Sequence, residues 1–239
     1  MCQPLDGERL SIVQAFKSGD RVLPAGSQLY GEGETCSELY NLLDGWVALH
    51  RLVDSGRCQI LDFALPGAFL GYQPDLAGPM LHGAQCLTDV AVCVFPRQRF
   101  VDLLAKHPGL TARLATLQAE ELVRAHDHLT NVACRPARSR LANLLLELCS
   151  RLRRRHPKLK PLDVKIPLTQ NNIADALGLT GVYVNIILRQ LREEGLLVFK
   201  GGRLQIPDPA RLAKIADYSD VPTGDVAEAL NHRERADAG

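Results

Sequence analysis

The stretch PLTQNNIADALGLTGVYVNIILRQLREEGLLVFKGGRLQI, residues 167–206, decides how this chain is read. Thr169 stands where a helix N-cap belongs, and Ile173, Ala174 and Leu177 supply the apolar face of a short helix that ends at Gly178. Leu179 fills the turn, Thr180 caps a second helix, and Val184, Ile187, Leu188 and Leu191 give that helix a core stripe. Two short helices across a Gly-containing turn predict a helix-turn-helix. The following GLLVFKGGRLQI predicts two strands about Gly201-Gly202, a β-hairpin wing with Lys200 and Arg203 astride its tip.

Charge points the same way. The net charge of the 239 residues is only +1, but residues 135–215 hold sixteen Lys and Arg against six acids, a local +10, which leaves −9 for the rest. A one-signed excess confined to a third of the chain is the electrostatic footprint of a module that binds a polyanion; a solvated basic face is the alternative. A major groove admits a helix, while capping hydroxyls, backbone amides and wing cations hold phosphates. Thr169, Gln170, Lys200 and Arg203 are the phosphate candidates, and Thr180, Tyr183, Asn185 and Arg189 the polar residues of the second helix expected to face the groove.

Upstream the texture differs. From Arg21 to Phe95 short apolar runs alternate with PAG, GEGE, DG, DSG and PG, the punctuation of strands joined by tight turns. An antiparallel barrel or jelly roll is expected, preceded by a short helix over residues 8–17. RQRFVDLLAKH predicts a helix stopping before Pro108, and a longer one runs from about Gly109 to Cys134. In it Ala115, Gln118, Leu122, Ala125, Leu129 and Val132 form a heptad seam with one polar member, and Leu110, Leu114 and Leu117 form a second stripe. One stripe is expected on the barrel and the other on a partner helix, hence a homodimer; a single wide core face is the alternative. Arg135-Pro136 is the expected hinge, followed by a helix carrying Leu141, Leu144, Leu145 and Leu148 on one side. The fold class is therefore α+β: an N-terminal antiparallel β-barrel, a long dimerisation helix and a C-terminal winged helix-turn-helix.

Several classes are excluded by what the residues lack. No apolar run reaches the ~20 residues of a membrane helix, and MCQPLDGERL has no signal-peptide pattern, so a cytoplasmic protein is expected. Seven scattered Cys without a C-x-x-C pair predict neither a disulfide framework nor structural zinc. Cys86 and Cys93, placed on one strand or a strand pair, and Cys134 and Cys149, flanking the hinge, are candidates for a redox switch, although buried Cys more often acts as a small hydrophobe. No nucleophile–base pair or metal motif stands out. The G-x-G of Gly31 and Gly33 falls in a strand turn without the helix a dinucleotide site requires, so no enzyme is expected.

The order of parts resembles the Crp/Fnr family of bacterial transcription regulators over residues 21–206. LPAGSQLYGEGETCSELYNLLDGWVALHR is similar to the family's cyclic-nucleotide-binding-type barrel, PGAFLGY to the edge of its ligand cassette, and LTQNNIADALGLTGVYVNIILRQLREEGLL to its DNA-binding motif. The resemblance implies a sensor barrel over residues 1–108, a dimerisation helix over 109–135, a DNA-binding domain over 136–220 and a tail over 221–239. It also implies a symmetric homodimer on double-stranded, two-fold operator DNA, contact with RNA polymerase, and a possible small-molecule effector.

The chain departs from this family in two places. Members that bind cyclic AMP place a Glu soon after the cassette glycine and an Arg before a small residue. Here Tyr72 follows Gly71 and His82 precedes Gly83-Ala84, so these five residues mark an effector pocket not expected to hold a cyclic phosphodiester, which calls for a fixed cation. No iron–sulfur cluster is expected, since Cys2 alone stands near the N-terminus; haem on His50 or His82 is the weaker alternative. Where studied members read bases with Arg, Glu and Arg, this chain carries Gly181, Val182 and Ile186. Its operator should therefore differ from theirs, read through thymine methyls, Asn185, Tyr183 and Arg189, or through DNA shape. The rival reading is a ligand-binding or interaction module whose helix-turn-helix no longer reads bases.

Overall fold

The computed structural model describes residues 13–54, 56–155 and 163–218. Most of the expected first helix, Cys2, Lys158, Lys160 and the tail lie outside them; of that helix, residues 13–16 are helical. Eight strands follow: β1 (Gly19–Leu23), β2 (Gln28–Tyr30), β3 (Glu38–Asp44), β4 (Val47–Leu52), β5 (Cys58–Ala64), β6 (Phe69–Leu70), β7 (Gly83–Cys86) and β8 (Val90–Pro96). They form two four-stranded antiparallel sheets, in the orders β1-β8-β3-β6 and β2-β7-β4-β5. The turn glycines serve as their spacing suggests. Gly45, for example, has φ +90°, and a Cβ there would sit 2.4 Å from the Asp89 carbonyl oxygen.

Strand periodicity sends the two faces of each sheet to different cores. Tyr40, Leu42, Val92 and Val94 meet Leu29, Tyr30, Val47 and Ala84 inside the roll. Leu39 and Phe95, on the outer face of the first sheet, pack with Phe100, Leu103 and Leu114 from α1 (Arg97–Lys106) and α2 (Pro108–Cys134). Ala48, Ile60, Phe63 and Leu65, from the outer side of the second sheet, join the core of the C-terminal third. One apolar cluster thus runs from the roll across residue 136 and into the expected DNA-binding part.

That part comprises α3 (Ala137–Arg155), β9 (Asp163–Lys165), α4 (Gln170–Leu177), α5 (Gly181–Glu193), β10 (Val198–Lys200), β11 (Arg203–Gln205) and α6 (Pro209–Ala216). Leu141, Leu145, Leu148, Ile173, Leu177, Val184, Leu191, Leu204 and Leu212 are fully buried in its centre. Two elements go beyond the sequence reading. β9 pairs antiparallel with β11, which makes the wing a three-stranded sheet. α6 is capped by Asp208, whose carboxylate accepts from the Arg211 amide, and has Pro209 in its first turn.

Candidate nucleic-acid interface

The helix-turn-helix is built by local chemistry. Thr169 Oγ1 accepts from the Asn172 amide at 3.1 Å, and Asn172 Oδ1 accepts in return from the Thr169 amide at 2.9 Å, a reciprocal capping box. Gly178 ends α4 at φ +65°, a left-handed conformation that L side chains resist. Thr180 Oγ1 accepts from the Tyr183 amide at 3.2 Å and so starts α5. Val184, Ile187, Leu188 and Leu191 are buried, which leaves the opposite side of α5 in solvent.

On that open side stand Val182, 75% exposed, with Tyr183, Asn185, Ile186 and Arg189. Leaving Val182 and Ile186 uncovered forgoes about 25 cal/mol per Å² of apolar burial, and among the described residues nothing buries this surface. Gly181 is half-buried beneath the Asn171 side chain, whose Oδ1 would lie 2.5 Å from a Cβ at that position. It starts the helix and presents no side chain to a groove. Thr169, Gln170, Thr180 and Lys200 are exposed. The wing tip turns through Gly201 and Gly202, both at positive φ.

Not every cation of the +10 segment is available. Arg203, a phosphate candidate, forms a two-pronged ion pair with Asp163 of β9, and Arg138 does the same with Glu194. Arg189 lies 3.7 Å from Glu193, a solvent-exposed pair worth little. Arg203 therefore has to share its guanidinium or leave Asp163 to meet a phosphate, and that cost was invisible without β9.

The expected effector pocket is brought together only in part. Gly71, Tyr72 and His82 line a cleft of about 960 Å³ between the roll, α2 and α3, together with residues such as Thr116 and Glu120. Gly83 and Ala84 stand behind this lining: both are buried in β7, and Gly83 is covered by the His50 ring, 2.7 Å from where a Cβ would stand. Tyr72 leans into an aromatic group with Phe69 and Phe100, at 6.4 Å from each ring centre. His82 Nε2 lies 3.1 Å from the Tyr30 hydroxyl, and burial together with neighbouring His50 holds its imidazole below the usual histidine range.

One residue of this region escaped the sequence reading. Arg97, only 5% exposed, donates from Nη1 to the Leu76 carbonyl at 2.6 Å and from Nη2 to the Gly71 carbonyl at 2.8 Å, and it touches the Met80 sulfur. Gln73 works beside it, donating from Nε2 to the Asp75, Gly78 and Pro79 carbonyls and accepting at Oε1 from the Leu81 amide. The cassette loop 71–81 is thus held from below by two side chains of the chain itself.

The long helix divides as its two stripes predict. Leu114 is buried against the roll, with Leu110 beside it. The seam points outward: Leu122 is 56% and Leu129 63% exposed, Ala115 and Ala125 are exposed, and Gln118 and Val132 are partly covered. Gln118 donates to Glu121 in its own helix. The Arg135-Pro136 junction is cinched rather than loose. Asn131 Nδ2 donates to the Arg140 carbonyl, Arg140 Nε to the Arg135 carbonyl, and Arg135 Nη2 to the Asp217 carbonyl.

Cys134 and Cys149 flank the Arg135-Pro136 junction as expected, but the other candidate pair is split. Cys86 lies on β7 and Cys93 on β8, strands of different sheets. Burial raises both thiols, Cys93 to about 11, and raises Cys149 to about 12, which disfavours the reactive thiolate. Among the described residues, no group of three or more His, Cys, Asp or Glu side chains is placed to hold a metal ion, and no helix is long and apolar enough to cross a membrane.

Comparison with known proteins agrees with this architecture. The Crp-like helix-turn-helix domain matches residues 139–215, and the cyclic nucleotide-binding domain matches residues 20–107. The nitrogen fixation regulation protein FixK of Bradyrhizobium diazoefficiens is 32% identical over 219 residues, spanning 90% of this chain and 89% of that protein. The transcriptional activatory protein AadR of Rhodopseudomonas palustris is 32% identical over 188 residues, 79% of this chain and 77% of the relative. The solved structure of FixK2 from Bradyrhizobium japonicum superposes with a TM-score of 0.74 at 26% identity, covering 84% of this chain and 98% of that one. These relatives are transcription regulators, not enzymes. The likeness runs along nearly the full length and takes in both the roll and the helix-turn-helix, and the chain belongs to the Crp/Fnr family of DNA-binding transcription regulators.

Proposed function

We propose that this regulator binds a two-fold operator as a homodimer joined along the α2 seam, with α5 of each protomer in the major groove. The observation that carries this reading is the face of α5 on which Val182, Tyr183, Asn185, Ile186 and Arg189 stand in solvent above a closed apolar stripe. Val182 and Ile186 offer apolar contact to thymine methyls, and Asn185 can bond bidentately to adenine, so an operator rich in A·T steps at the contacted positions is expected. Thr169, Gln170, Thr180 and Lys200 position phosphates, and Arg203 joins them by exchanging Asp163 for a phosphate. RNA polymerase is the further partner, and a cytoplasmic site of action follows from the DNA.

Cyclic AMP is not its effector in this reading. A neutral His82 bonded to Tyr30 gives no fixed positive charge where a cyclic phosphodiester would need one, and the cassette is already held by Arg97 and Gln73. Selection of bound duplexes from a random pool, followed by titration of the selected site at several salt concentrations, tests the DNA reading. A two-fold motif and a steep fall of affinity with salt are expected; a monomer indifferent to duplex DNA in dilute buffer would refute it. Calorimetry with cyclic AMP should give no heat; micromolar binding lost on His82→Ala would reverse that part.

A further inference from the structure

The DNA-binding part is seated on the roll by a polar clasp as well as by apolar packing. Arg151 of α3 is the centre of the clasp, with its side chain only 11% exposed. Its Nη1 lies 2.9 Å from Asp62 Oδ1 on β5 and 3.2 Å from Glu147 Oε1, one turn earlier on α3. Its Nη2 donates to the Phe63 carbonyl at 2.7 Å. One guanidinium thus joins the DNA-binding part to both the backbone and a side chain of the roll.

A second tie lies nearby. The carbonyls of a helix's last turn have no partner inside the helix. At the end of α4 the Ala176 carbonyl accepts from Gln59 Nε2 of β5 at 3.2 Å, with the His128 ring of α2 close to the same backbone. The first helix of the helix-turn-helix is therefore capped by the roll, beside the long helix. The clasp meets the far end of α4 from Thr169, and it leaves the exposed row of α5 uncovered.

We propose that Arg151, with Asp62 on β5, is a positioning residue that sets the angle of the recognition helix to the roll and thereby the half-site spacing the dimer accepts. The apolar contact of Ile60 and Phe63 with the C-terminal core is non-directional and tolerates small rotations. A buried ion pair adds little net stability, because desolvation offsets its attraction, but it penalises every arrangement in which one charge loses its partner. In a dimer whose rolls are fixed by α2, that penalty decides whether both α5 helices can enter grooves one helical turn apart. This inference rests on the dimeric DNA-binding reading above.

The test compares Arg151→Met and Asp62→Asn with the parent, using a duplex selected by the parent from a random pool, its isolated half-site, and versions with one or two base pairs added at the centre. If Arg151 sets posture, both variants keep half-site affinity within about twofold but lose about tenfold or more on the full site, because simultaneous engagement is what geometry controls. Their discrimination against the lengthened sites should shrink as well. Unchanged full-to-half-site ratios and unchanged spacing discrimination in both variants would overturn the inference. Asp62→Asn leaves Arg151 its Glu147 and Phe63 partners and so keeps the test open should Arg151→Met fail to fold. A probe pair on the roll and on α6 reads posture without DNA: the parent should give one narrow distance distribution and the variants a broader one. Identical distributions would also overturn the inference. Should the parent prefer no paired half-sites at all, the dimeric reading fails instead, and the distance measurement still judges the clasp.

Discussion

The mouth of the roll and the first turns of α5 both carry uncharged residues where the resemblance to the family implies charged ones, with opposite physical outcomes. At the roll the replacements turn inward: Tyr72 joins Phe69 and Phe100, His82 meets Tyr30, and the cassette loop hangs on Arg97 and Gln73. On α5 the replacements stay outside, with Val182 and Ile186 in water beside Asn185 and Arg189. Polar or apolar, a side chain that the protein satisfies internally has become structure. One left uncovered at a thermodynamic cost still points at a partner.

That contrast can be broken most severely at Arg97. Arg97→Met leaves the buried Gly71 and Leu76 carbonyls without their donors, and equilibrium urea unfolding should show a loss of about 2–4 kcal/mol, since each orphaned buried group costs roughly 1–3. DNA affinity of the folded fraction should hardly change. A variant as stable as the parent would mean that the loop is not held from below.

The opposite pattern is expected on α5. Asn185→Ala should leave unfolding unaltered and lower affinity for the selected operator by about 1–3 kcal/mol, with discrimination relaxed at one base pair of each half-site. Anisotropy titrations against operators mutated position by position would measure it. A uniform loss on every sequence would assign Asn185 to the phosphates instead.

Between these lie the caps. Thr169→Ala and Thr180→Ala each remove an acceptor that starts a helix and should cost about 1 kcal/mol of stability by urea unfolding. Because both hydroxyls also stand on the side proposed to meet DNA, operator affinity should fall beyond what unfolding explains. Equal affinity of the folded variants would make them structural alone.

The smallest effect is the pH response of the roll. The folded-state pKa of His82 is depressed, so the folded form prefers the neutral ring. Its contribution is complete above the unfolded value near 6.5, and it is lost as pH falls below that value toward the depressed one. Melting temperature should drop between pH 7.5 and 5.5, and less steeply in His82→Gln. His128 is depressed by burial in the same direction, so a residual slope should survive that substitution.

Much of this could be read from residues close together in the chain. The capping Thr residues, Gly178 and the stripe of α5 are short-range signals, and each appears where its spacing places it. The turn glycines likewise located the strands of the roll. β9 was missed because Asp163-Val164-Lys165 contains one apolar residue and becomes a strand only by pairing with β11, some forty residues later. α6 has a legible start in Asp208-Pro209, a capping carboxylate followed by a proline in the first turn. Arg97 carries no local mark and Arg151 only Glu147 one turn earlier, because their other acceptors are carbonyls and a carboxylate brought near by the fold.

The third strand of the wing has an evolutionary consequence. With β11 pinned on its inner side by β9, and Gly202 so close to the Ile166 carbonyl that a Cβ there would lie 3.3 Å away, the backbone holds the hairpin tip, and the Arg203–Asp163 pair ties β11 to β9 beside it. Lys200 is a passenger on that frame. Lineages can therefore raise or lower the tip's charge at Lys200, and with it the proposed general grip on DNA, while the face of α5 proposed to read bases drifts on its own schedule.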